Sequence, residues 1–185
     1  MTNLQTLLDR NRAFAAQDHS GSAPRLPFQP RRSLYIVTCV DSRTDPAGFL
    51  GIEYGEALIA RTVGGRVTPG VVRDVAYMAY LAETRSAEGP FFETAIIHHT
   101  DCGSNLLADP ELRRAFGERS GYDEESLADM PVADPVQTVQ IDVERLLAAP
   151  QISPFITVSG HVYDIETGLV TTIVEPAHPL GRSVT

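Results

Sequence analysis

The sequence has no tryptophan and only two cysteines among its 185 residues. Two cysteines cannot build a disulfide framework, so the chain must fold on a hydrophobic core, and a reducing cytoplasm is the expected setting. Basic residues are in deficit: 15 Lys and Arg face 24 Asp and Glu, for a formal net charge of −9. That balance argues against a nucleic-acid partner, because a phosphate backbone needs a basic face. No run approaches the ~18 continuous apolar residues that a membrane span requires. The segment from Met1 to Gln5 lacks the basic flank and apolar core of a signal peptide. A small, uncharged or singly charged substrate is left open by all of this. The length suits one domain over 1–185 with a sizeable core.

The pattern of apolar residues alternates between strand and helix. Leu4 to Ala16 carries apolar residues at roughly the helical period, and a Ser-, Gly- and Pro-rich loop follows from Asp18 to Pro30. Residues 1–30 therefore read as an N-terminal helical arm, able to pack on a neighbouring subunit or on its own domain. Leu34 to Thr38, Ala57 to Ala60 and Thr94 to His99 are short apolar runs of the kind that form buried parallel strands. Phe155 to Ser159 and Leu169 to Val174 read as two more, joined through the turn-like Glu166–Gly168. Helices are expected from Pro69 to Thr84 behind a Thr68 cap, from Asp109 to Phe116, and from Val136 to Ala149. The expected fold is α/β, with a mainly parallel central sheet flanked by helices and an antiparallel C-terminal strand. Ligands of such sheets bind beyond the carboxyl ends of the strands.

Two of those ends carry the chemistry-bearing residues. Cys39-Val-Asp41-Ser-Arg43 follows the first strand, and His99-Thr-Asp-Cys102 closes the third. Two thiolates and one imidazole are a ligand set that zinc prefers, and both cysteines of the chain are in it. Three protein ligands would leave a fourth position for water, the arrangement of a catalytic site; a fourth protein ligand would close it. The alternative is two buried cysteines acting as small hydrophobes beside a core histidine. Asp41 could be that fourth ligand, or could hydrogen-bond the bound water from outside. Arg43 favours the second, because a guanidinium forks onto a carboxylate and would hold it away from the metal. The competing reading of Asp41 and Arg43 is a loop ion pair of little consequence. His98 should point to the opposite face of its strand from His99. His19, His161 and His178 have no motif around them, and His19 is expected to face solvent from the arm.

Taken together, Cys39, Asp41, Arg43, Arg61, Gly64, Gly65, His99, Cys102 and Gly103 resemble the β-class carbonic anhydrases. Leu34 to about Leu107 carries the resemblance closely, and Phe155 to Val174 more loosely. The stretch from Ile97 to Gly103 is similar to the short branch without a plant-type insertion, which also includes carbonyl sulfide hydrolases. The resemblance implies a Zn2+ enzyme with Cys39, His99 and Cys102 as metal ligands and Asp41 and Arg43 as a catalytic gate. It implies reversible hydration of carbon dioxide to bicarbonate by zinc-bound hydroxide, in a homodimer or higher homo-oligomer with the arm wrapped on the partner. Hydrolysis of carbonyl sulfide by the same hydroxide is the second reading. A zinc-stabilised protein without catalysis, and a redox switch joining Cys39 to Cys102, are readings of other classes. Thr62-Val63 and Ser104-Asn105 depart from the family's usual residues, and the acidic segment from Ala108 to Pro135 does not align with it. These departures bear on the substrate more than on the metal.

Overall fold

The computed structural model describes residues 4–16, 26, 28–85 and 92–179; most of the loop expected from Asp18 to Pro30, with His19, lies outside the described residues. Five strands form one sheet: β1 (Leu34–Cys39), β2 (Ala57–Thr62), β3 (Phe92–His99), β4 (Ile156–Tyr163) and β5 (Val170–Ala177). Their order across the sheet is β2-β1-β3-β4-β5. The first four run parallel, and β5 pairs antiparallel with β4. Among the described residues, six α-helices accompany the sheet: α1 (Gln5–Ala15), α2 (Pro46–Phe49), α3 (Pro69–Arg85), α4 (Pro110–Ser120), α5 (Glu124–Ala128) and α6 (Pro135–Ala148). No helix among the described residues is long and apolar enough to cross a membrane.

Local chemistry explains the boundaries. Asp109 and Asp134 each stand before a proline and accept backbone N–H bonds from the first turn of α4 and α6. This satisfies donors that the helix itself cannot, while the proline gives up an N–H that had no partner anyway. Thr68 Oγ1 accepts from Val71 N at the start of α3, as its position suggested. β4 runs past Ser159, where a strand was expected to stop, because Gly160 is part of the sheet. A Cβ at Gly160 would come within 2.9 Å of Val143 Cγ2, so glycine here lets α6 lie close against the strand.

Alternation along β1 and β3 divides the core. Tyr35, Val37 and Ile96 face α3 and α6, packing with Val75, Ala79, Val139, Val143 and Ile156. Ile36, Ala95 and Ile97 face the other way, towards Phe49 of α2 and Tyr163. Phe49 and Tyr163 stack with ring centroids 4.2 Å apart. His98 lies on the α6 side, fully buried, with Nδ1 2.9 Å from Thr138 Oγ1 and Nε2 3.3 Å from Asp142 Oδ2.

Asp142 is the one carboxylate buried in the apolar stripe of α6. It accepts from Arg66 Nε at 2.7 Å, Arg145 Nη1 at 2.9 Å and Val67 N at 3.1 Å. Burial works against its charge, but the His98 ring and the Arg66 guanidinium outweigh that, and its pKa falls below the ordinary carboxylate value. A depressed folded-state pKa contributes stability that is present above the unfolded value and lost as pH falls through the folded one. Asp142→Ala would leave Arg66 buried without its main partner, a loss on the order of 3–5 kcal/mol. Urea denaturation at neutral pH should show that difference, and it should shrink as the pH falls below ~4. A variant as stable as the parent at neutral pH would contradict it.

Candidate metal centre

The parallel register places Thr38 beside Ile97, so Cys39 and His99 leave adjacent strands at the same end of the sheet. The chain then turns at Asp101, whose φ of +52° lies in the left-handed region that aspartate tolerates better than most residues. That turn returns Cys102 towards Cys39, and the two sulfurs lie 3.9 Å apart. One ligand atom from each of Cys39, His99 and Cys102 falls within 4.8 Å of the others. Cys39, Cys102 and Val132 form one small buried cluster. Gly65, at φ +70°, allows the backbone after β2 to pass close by; a Cβ there would meet Thr38 C at 3.1 Å and Cys39 N at 3.2 Å.

The donor atoms suit a metal ion. His99 Nδ1 lies 2.8 Å from the carbonyl of Thr100, so it carries the proton and donates it there. That leaves the Nε2 lone pair free, and Nε2 is buried with no hydrogen-bond partner. An orphaned, buried ring nitrogen facing two thiols is the donor set of a zinc site. The sulfur pair is itself polarised. The hydrogen bond between the two sulfurs pushes Cys39 up to about 12, aided by burial, and draws Cys102 down to about 6, aided by Ser104. A cation held between the two sulfurs would favour both as thiolates.

Asp41 and Arg43 stand on the solvent side of this group. Cys39, His99 and Cys102 are 3 %, 1 % and 5 % exposed, whereas the Asp41 side chain is 15 % and that of Arg43 46 % exposed. Arg43 donates to Asp41 through Nε at 3.0 Å and Nη2 at 2.7 Å, a forked pair, and its own backbone N–H adds a third bond at 2.9 Å. These bonds hold the Asp41 carboxyl well below the usual carboxylate range.

Two further contacts were not legible in the motif. Arg43 also reaches Asp101, through Nη1 to the carboxylate at 2.7 Å and Nη2 to the carbonyl at 2.9 Å. Arg61 donates to the carbonyls of Cys39, at 2.9 Å, and Asp41, at 2.5 Å, and so clamps the loop that carries the aspartate. Arg61 was visible as part of the motif, but its job of bonding main-chain carbonyls was not. Asp101 gave no signal beyond lying between two ligand positions. His161 sits between Ser159 Oγ and Thr172 Oγ1, and His178 bonds the carbonyl of Ile156, so neither reaches the centre.

No family model matches the chain. Beta-carbonic anhydrase 1 of Mycobacterium tuberculosis is 31 % identical over 154 residues, covering 83 % of this chain and 90 % of that protein. The crystal structure of carbonic anhydrase from Streptococcus mutans superposes with a TM-score of 0.76 at 32 % identity, covering 94 % of this chain and 98 % of that one. A carbon disulfide hydrolase from Acidianus sp. is 26 % identical over 159 residues, 74 % of each chain.

If Cys39, His99 and Cys102 are the metal ligands, Cys39→Ser should cost most of the zinc measured by plasma mass spectrometry after dialysis. A full equivalent retained by that variant would place the metal elsewhere.

Proposed function

This chain belongs to the β-carbonic anhydrase family, and with that membership and the site geometry we propose that it catalyses the reversible hydration of carbon dioxide to bicarbonate. It is an enzyme of the carbonic anhydrase type. The observation that carries the proposal is the buried trio of Cys39, His99 and Cys102, with His99 Nε2 left orphaned, set behind a carboxylate pinned by arginine. These three residues would hold zinc. Bound zinc supplies Lewis acidity that brings the pKa of water down to ~7 and so yields a nucleophile near neutral pH.

Asp41 is the orienting group. Ionised and fixed by Arg43, it accepts a hydrogen bond from the attacking water and aims the water's free lone pair at the carbon of the substrate. Arg43 has a second duty, which is to keep the same carboxylate from swinging inward as a fourth ligand. The near-complete burial of the three donors admits only a small substrate, in keeping with a linear triatomic molecule. Hydration consumes one water and releases one proton, CO2 + H2O giving HCO3− and H+, so turnover ends with a proton handed to buffer.

A second reading has support in the carbon disulfide hydrolase among the relatives. Carbonyl sulfide and carbon disulfide have the valence structure of carbon dioxide, and the same water could attack them. Turnover of the three compounds by one preparation separates the readings. Carbon dioxide is expected to be hydrated fastest, and a preference for either sulfur compound would reverse the assignment.

We also read the protein as a homodimer or higher oligomer. In support, α1 buries none of its residues, and Leu4, Leu7 and Leu8 are 55 %, 51 % and 42 % exposed. An apolar stripe of this kind is poorly accounted for by one chain alone.

Asp41→Ala should keep its zinc and lose at least 10-fold in CO2 hydration, about the cost of removing an outer-shell partner. Arg43→Ala returns the Asp41 pKa towards ~3.9, so Asp41 stays ionised at neutral pH. Any loss in that variant comes from the carboxylate's position and not its charge. Zinc X-ray absorption should then report a carboxylate, recognised by its carbon beyond the fourth-ligand oxygen, where the wild type shows water. Full activity in Asp41→Ala would overturn the role given to that residue. Sedimentation of the intact chain tests assembly, with a dimer or larger species expected and a monomer at micromolar concentration contradicting it.

A further inference from the structure

Ser104 was notable in the sequence only as a departure from the family's usual residue. In the fold it is 8 % exposed and its hydroxyl touches two groups. Val132 N donates to Ser104 Oγ at 3.1 Å, and Ser104 Oγ lies 3.2 Å from Cys102 Sγ. A thiolate that holds a metal has no proton to give. With one lone pair of the hydroxyl taken by Val132 N–H, the hydroxyl proton is directed to the sulfur. The arrangement is packed into place: a Cβ at Gly64 would come within 3.0 Å of both Ser104 Oγ and Val132 Cγ2. The other sulfur has its own donor, since Asp41 N–H points at Cys39 Sγ at 3.4 Å.

We propose that Ser104 is a positioning residue that tunes the centre by donating a hydrogen bond to the Cys102 thiolate, matched by the Asp41 N–H on Cys39. Two thiolates give a metal more charge than two imidazoles would, which weakens its Lewis acidity. Each hydrogen bond to sulfur draws part of that charge away and restores acidity. This inference rests on the reading of Cys39, His99 and Cys102 as metal ligands. It concerns a side chain, whereas the Asp41 N–H on Cys39 is main chain and remains in a Ser104 variant.

The test compares cobalt-loaded wild type with cobalt-loaded Ser104→Ala. Removal of the hydroxyl raises the energy of the sulfur lone pairs, so the sulfur-to-cobalt charge-transfer band of the variant should move to longer wavelength. In the zinc-loaded variant kcat for CO2 hydration near neutral pH should fall on the order of 10-fold, with KM little changed and activity recovered at higher pH. A purely structural serine would lower thermal stability and leave both the band and the pH profile where they were; that result overturns the proposal. Failure of the wild type to bind one equivalent of cobalt or zinc would instead sink the metal reading, and this inference with it. If Ser104→Ala does not fold, neutron diffraction from zinc-loaded wild type gives the answer. A deuteron on the line from Ser104 Oγ to Cys102 Sγ supports the proposal, and one directed to any other acceptor ends it.

Discussion

Everything at the centre depends on the parallel pairing of β1 with β3. Because Thr38 lies opposite Ile97, the two strands end level, and Cys39 and His99 emerge together although they are far apart in sequence. A slip of one residue would put His98 in the place of His99 and turn the His99 ring to the α6 side. The register is guarded by what each face buries. Val37 and Ile96 must meet the α3 and α6 core, while Ile36 and Ile97 must meet Phe49 and Tyr163. The apolar core is therefore what places the ligand atoms, and the site inherits its precision from packing that has no chemistry of its own.

Charge is handled in two layers on opposite faces of the same strand end. On one face lie the thiols and the His99 ring, with Asp41 ionised by Arg43 at the solvent edge. On the other, His98 is buried beside Asp142, which is compensated by Arg66 and Arg145. Arg66 follows the Gly64–Gly65 turn and also bonds the carbonyls of Asp129 and Pro131. Those bonds fix the segment leading to Val132, which shares a buried cluster with the two cysteines and donates to Ser104. The buried ion network thus braces that cluster, and its cost in desolvation is offset by how many partners each charge has.

The strands and the grouping of Cys39, His99 and Cys102 were legible in the sequence because both rest on local signals at strand ends. Apolar runs ending in Cys39 and His99 announce strand ends, and Asp-Pro pairs at 109–110 and 134–135 announce helix starts. The short helices α2 and α5 were missed, being too brief for periodicity to show. The fourth strand was expected only to Ser159, because what Gly160 does depends on what packs over it, here Val139 and Val143. Asp101 and Ser104 were opaque for the same reason. Their importance lies in contacts to Arg43, Val132 and Cys102 that only the folded turn creates. The acidic segment after Ala108, which does not align with the family, supplies α4 where a helix was expected, and also α5 and the Val132 that clusters with the cysteines.

The most direct test of the central claim, that this sheet end is a catalytic zinc centre, is stopped-flow CO2 hydration at alkaline pH by wild-type protein of known zinc content. Rapid hydration in proportion to zinc, rising to a maximum at one equivalent per chain, is the expected result. Negligible hydration by protein holding a full equivalent of zinc would contradict it.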